Sequence, residues 1–221
     1  MRLEGRAAVV VGASSGVGLA VVSALAAEGA RVHALARRAE LIEPGQRILP
    51  RRLDATDERA VASTLVEIGD ADIVVYAAGT NVKNRRFADL DAAGWRTMVE
   101  TNLSGAVHVL RAALPGLRRR RGQAVLISSI SGRWPDESGP GYQATKAGVR
   151  ALAHGLAFEE HQSGVRVCAI LPGAVDTPLI DKRPVAPAAG VRERMLRPEA
   201  FVPELVILPT ELQAIGRDLT R

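Results

Sequence analysis

Short runs of aliphatic residues alternate along the chain with longer stretches whose apolar positions recur at helical spacing. The first run, Ala7 to Val11, is β-branched and closed by Gly12, which predicts a buried strand. A helical pattern follows from Leu19 to Glu28 and stops at Gly29. Further strands are predicted over Arg31 to Ala36, Arg47 to Leu53, Ile73 to Tyr76, Ala124 to Ile127 and Val165 to Leu171. Between them lie helical stretches at Glu58 to Ile68, at Leu90 to Leu114 (open to being split) and at Tyr142 to His161. On the last of these Val149, Leu152, Ala153 and Leu156 form an apolar side. The connection Ser128 to Gly141 is too rich in glycine and proline for a regular element. Prolines at 178, 184, 187 and 198 make 178–200 an irregular segment on the substrate side, and Glu204 to Leu208 is a candidate seventh strand. Strand, turn and helix in repetition predict an α/β fold: one doubly wound, Rossmann-like parallel sheet of about seven strands spanning residues 1–221 as a single domain.

Composition narrows the class. With 221 residues, 47% of them hydrophobic and 24% charged, the chain can bury a core and is not a disordered one. The lone cysteine, Cys168, sits in an apolar run; it excludes an intramolecular disulfide and any cysteine-cluster metal site, so no metal is expected. No long uncharged apolar window and no signal-like N-terminal run are present, which predicts a cytoplasmic globular protein without a membrane span. The net charge of +5 comes almost wholly from arginine, since only Lys83, Lys146 and Lys182 are lysines. The densest basic block, Arg118 to Arg121, reads as a solvated helix end favoured by the helix dipole. It lacks the interleaved aromatics of a nucleic-acid surface, so no nucleic-acid partner is expected.

Candidate chemistry begins at the first strand–helix turn, Gly12-Ala13-Ser14-Ser15-Gly16-Val17-Gly18. Glycine at 12 permits a tight turn, at 16 the approach of a phosphate to backbone N–H groups, and at 18 close contact with the helix. At the tip of the second strand stand Arg37 and Arg38, where a ribose-binding carboxylate would mark NAD. Two guanidinium groups suit a 2′-phosphate, favouring NADP. Asp54, with Ala55 beside it, follows the third strand; it could meet an adenine amino group or cap the next helix.

Tyr142 and Lys146 stand at i and i+4 on one predicted helix and share a face. A phenol of pKa about 10 is a poor base near neutrality. A neighbouring ammonium would favour the phenolate and let the pair exchange a proton with a substrate oxygen. An exposed tyrosine beside a solvated lysine is the alternative. Ser129 follows the fifth strand and could donate to a substrate oxygen as charge develops; Ser128, Ser131 and Ser138 compete with it. No Gly-x-Ser-x-Gly elbow surrounds these serines. Asn102 could sit against Lys146 and anchor a water, or lie plainly on the surface.

Taken together these motifs resemble the classical short-chain dehydrogenase/reductase family over nearly the whole chain. Asn102, Ser129, Tyr142 and Lys146 match its catalytic tetrad in order and spacing. Pro172-Gly173-Ala174-Val175-Asp176-Thr177 is similar to its nicotinamide-side segment, and Ala78-Gly79 to part of its central cofactor turn. The resemblance implies an NADP-dependent reductase or dehydrogenase for a small carbonyl/alcohol pair. It makes Tyr142 the general acid/base, tuned by Lys146, with Ser129 polarising the substrate oxygen and Asn102 supporting a water relay. It further implies cofactor contacts from the glycine turn (Ser14, Ser15 and Val17 included), Arg37, Arg38, Asp54, Ala55, Ala78, Gly79, Tyr142, Lys146, Pro172, Gly173, Val175 and Thr177.

Two departures stand out. Where the family has Asn-Asn-Ala-Gly, this chain has Tyr76-Ala77-Ala78-Gly79, losing two bracing amides. The C-terminal region is also too short for the family's usual helix after residue 198. A homodimer through the helices at 101–115 and 142–160 is expected, a tetramer being the other option. Arg133, Trp134, Val175 and 178–196 are the expected substrate contacts, the alternatives being a plain surface arginine at 133 and a core-capping tryptophan at 134. A dinucleotide-binding regulatory or structural protein without catalysis is the competing class, and an epimerase or dehydratase a further one.

Overall fold

The computed structural model describes residues 1–184 and 189–201. Strands β1 (Ala7–Val11), β2 (Arg31–Ala36), β3 (Ile48–Arg52), β4 (Ile73–Tyr76), β5 (Gln123–Ile127) and β6 (Arg166–Ile170) form one parallel sheet in the order β3-β2-β1-β4-β5-β6. The described sheet therefore has six strands where about seven were expected. The candidate seventh, Glu204 to Leu208, lies outside the described residues.

Alternation along the strands builds two cores. Val9 and Val11 of β1, Val74 and Tyr76 of β4, and Leu126 of β5 point to one face, where they meet α2 (Glu58–Ile68), α4 (Gly105–Arg120) and α5 (Pro140–Glu160). Ala8 and Val10, with Val75 and Val125, point to the other, where Val21, Val22 and Leu25 of α1 (Gly16–Ala27) cover them. A period of two, buried on both faces, explains why the strands read as continuous apolar runs. β6 is only partly buried along most of its length.

The long helical stretch is split. α3 (Ala92–Val99) and α4 are joined by a π-helical turn at Glu100–Ser104, which holds Asn102. α4 runs on through Pro115 to Arg120, beyond the expected end at Leu114. Arg118, Arg119 and Arg120 occupy its last turn, and Arg121 in the left-handed region caps it. Those cations are paired: Arg118 with Glu160, Arg119 with Asp70 and Arg120 with Asp72. Within the 178–200 segment, Ile180–Lys182 and Ala189–Arg192 form short helical turns, and Val175 bridges Leu196. Arg192 and Arg197 both donate to Asp176, which draws this part of the chain together. Among the described residues no helix is long and apolar enough to cross a membrane.

Candidate active site

The sheet reverses its strand order between β1 and β4, and a crevice opens there at the carboxyl ends of the strands. Gly12 extends β1 and Ala77 extends β4, so the two turns lie side by side. They approach so closely that a Cβ on Gly12, whose φ is +86°, would collide with the Ala78 backbone. A Cβ on Gly18 would strike the Gly12 carbonyl. The turn delivers the start of α1, which has no acidic residue and no side-chain cap in its first turn. Its free N–H groups face the crevice as an anion site.

The resulting cleft, about 510 Å³, is lined by Gly12, Ser14, Ser15, Gly16, Val17 and Gly18, and by Arg37 and Arg38 at the tip of β2. Asp54, Ala55, Ala78, Gly79, Pro172, Gly173, Val175 and Thr177 line it too. Residues from five segments thus converge on a groove whose glycine turn and paired arginines fit a dinucleotide phosphate. Asp54 is not the cap of α2; that role belongs to Asp57, which accepts from the Ala60 N–H at 3.0 Å. Asp54 instead accepts from the Thr56 N–H and hydroxyl through one carboxylate oxygen.

At the far end α5 presents Tyr142 and Lys146 to the same cleft. The Lys146 ammonium lies 5.7 Å from the centre of the Tyr142 ring and donates to the Ile127 carbonyl at 2.9 Å. Lys146 retains 3% of its surface and Tyr142 8%. Burial pushes the Lys146 pKa down to about 8 and the Tyr142 pKa up to about 12. The phenolate expected from the lysine's proximity is therefore not the resting form. Desolvation of the phenol outweighs the help it receives from the Ser129 hydroxyl. Neither residue is the solvated surface group of the alternative reading.

The serines separate by partner. Ser128 donates to the Lys146 carbonyl and is structural. Ser131 and Ser138 both donate to Asp136. Ser129 remains beside Tyr142, its hydroxyl 3.1 Å from that of Ser131. Asn102 is fully buried, not on the surface. Its side chain accepts from the Thr80 N–H and donates to the Thr80 carbonyl and the Thr145 hydroxyl, so it clasps the β4 turn to α5. Its carbonyl oxygen and the Lys146 ammonium both lie near Gly79, where a Cβ would meet them at 3.6 and 3.2 Å.

Of the expected substrate contacts, Val175 and Pro178, Leu179, Ile180 and Arg183 of the following segment line the cleft. Arg133 and Trp134 do not; they stack on each other at 5.2 Å on an exposed surface. Sequence reasoning missed Asn81, Arg85 and Asp136, which also line the cleft. All three sit in loops without periodicity, where only the fold brings them to the site. Among the described residues no group of three or more His, Cys, Asp or Glu could hold a metal ion.

The short chain dehydrogenase family model matches residues 6–186, and the chain belongs to that family of short-chain dehydrogenases/reductases. It is 37% identical to L-fucose dehydrogenase of Mus musculus, over 80% of this chain and 68% of that one. It is 34% identical to cis-4-hydroxycyclohexanecarboxylate dehydrogenase of Sinomonas cyclohexanicum, over 93% and 90%. Among solved structures, serine dehydrogenase complexed with NADP+ superposes with a TM-score of 0.84 at 30% identity, covering 93% of this chain and 90% of that one. A dehydrogenase acting on a small molecule with a nicotinamide dinucleotide is thereby the class of protein.

Proposed function

We propose that this chain is a cytoplasmic NADP-dependent oxidoreductase for a carbonyl/secondary alcohol pair, with Tyr142 as general acid/base. The observation that carries the reading is the placement of Tyr142 and Lys146 on one wall of the cleft whose other end is the glycine turn. When bound, the nicotinamide supplies or receives the hydride. The turn from Gly12 to Gly18 holds the pyrophosphate, Pro172, Gly173, Val175 and Thr177 the nicotinamide end, and Asp54 and Ala55 the adenine. Arg37 and Arg38 grip the 2′-phosphate through their several donors; serine dehydrogenase, a structural neighbour, is NADP-complexed.

Tyr142, held protonated by burial, gives its proton to the carbonyl oxygen during reduction, and Ser129 donates to the same oxygen. Lys146 would hold the cofactor ribose and, with that polar ligand in place, would carry the charge that steadies the ionised phenol. Asn102 secures the β4 turn through Thr80 and supports a water relay that returns the proton. The dimer forms through α4 and α5, where Phe158 leaves 72% of its surface exposed.

The test is a panel of small ketones, aldehydes and alcohols followed by NADPH oxidation and NADP reduction at 340 nm. Turnover faster with NADPH than with NADH supports the proposal. Tight NADP binding with no turnover across the panel contradicts it.

A further inference from the structure

Arg85 retains only 7% of its surface, yet it enters none of the described ion pairs. Its Nε donates to the Val82 carbonyl at 3.1 Å and one terminal nitrogen, Nη2, to the Lys182 carbonyl at 2.5 Å. These two bonds fix the plane of the guanidinium. Nη1 makes no hydrogen bond among the described residues, and Arg85 lines the cleft within electrostatic reach of Tyr142. A largely buried cation without a direct ion-pair partner is costly unless a ligand supplies one.

Arg183 lines the same part of the cleft and likewise enters no described ion pair. Arg183 and Arg85 lie within electrostatic reach of each other, and burial with that repulsion lowers the Arg85 pKa. Among the described residues the acid that acts on Arg85, Asp136, is occupied: it accepts from the Ser131 hydroxyl, the Ser138 N–H and hydroxyl, and Gln143. Net positive charge therefore remains at the reactive end of the cleft.

We infer that this end of the cleft binds a carboxylate on the substrate through Arg85 and Arg183, so that the substrate is an oxo acid or the corresponding hydroxy acid. A planar, singly charged carboxylate matches the terminal nitrogen left on Arg85 and the fork of Arg183. A doubly charged phosphate ester suits the site less, because Asp136 keeps its own negative charge close by. The inference rests on the redox reading above.

The test compares oxo acids of four to eight carbons with their methyl esters and with phosphate esters of equal length, using the full chain saturated with NADPH. In parallel, calorimetry with NADP-saturated protein measures binding of cyclohexanecarboxylate, which has no reducible group. The acids should show a kcat/KM about ten- to hundredfold above the esters. Arg183→Gln should cut that preference and weaken cyclohexanecarboxylate binding about tenfold, with KM rising more than kcat falls. Arg85→Lys should restore part of what Arg85→Gln loses; Arg183→Gln, at a less buried position, keeps the test readable if Arg85→Gln does not fold. Esters or phosphate esters used as well as the acids would overturn the inference and leave the redox reading standing. Arg183-dependent carboxylate binding without turnover of any compound would uphold the inference and defeat the redox reading.

Discussion

The Tyr76 hydroxyl donates to the Thr101 carbonyl oxygen at 2.5 Å, joining the end of β4 to the π-helical turn one residue before Asn102. Tyr76 retains 1% of its surface, and a Cβ on Gly105 would collide with its hydroxyl. This chain thus braces the end of β4 against the π-helical turn with a phenol. Burial, with Asp54 nearby, raises the Tyr76 pKa well above its ordinary value, so it stays a donor.

Replacing Tyr76 by phenylalanine removes that donor and leaves the Thr101 carbonyl without it. The expected cost is about 1–3 kcal/mol in denaturant unfolding. Turnover should fall further than stability alone explains, because Asn102 loses its register against Thr80.

Gly18→Ala should abolish dinucleotide binding while the chain still folds, since the added methyl group meets the Gly12 carbonyl in the phosphate turn. Titration of NADP against tryptophan fluorescence reads the loss. Unchanged affinity would show that the turn does not hold the phosphates.

Removing both Arg37 and Arg38 as alanines should weaken NADP binding about ten- to hundredfold and leave NAD binding within about threefold, as expected for lost charge-assisted bonds to one phosphate. Equal losses for the two cofactors would mean that the pair acts elsewhere than at the 2′-phosphate.

Lys146 carries a stability cost with a defined pH window. Its folded pKa of about 8 lies below the ordinary 10.5, so the folded state binds fewer protons than the unfolded between those values. Stability must then rise with pH across that window, the cost of the buried charge being complete below pH 8. Lys146→Met should unfold at a higher temperature than the wild type at pH 7, without cofactor, and the gap should narrow towards pH 10. Differential scanning calorimetry at both pH values checks the sign.

Much of this was legible in the residues. Ala7 to Val11, Arg31 to Ala36, Glu58 to Ile68 and Ile73 to Tyr76 fall where the apolar pattern put them, the strands because both their faces are buried and the helix because it buries one. The glycine turn was legible because backbone collision forbids other residues there. Arg85 was not: its importance comes from Val82 and Lys182, the second of them 97 positions away. The i, i+4 spacing of Tyr142 and Lys146 gives the phenol's proximity to lysine but says nothing of its desolvation. Asn102 needed the π-helical turn, which no sequence period announces, before its clasp on Thr80 could be seen.

The account depends most on Tyr142 as the proton donor in the cleft. Steady-state NADPH oxidation by Tyr142→Phe, measured with the best substrate of the panel beside NADP affinity, tests it directly. Loss of about 10²–10⁴ in kcat with cofactor affinity largely retained is the predicted result. Turnover near that of the wild type would contradict it.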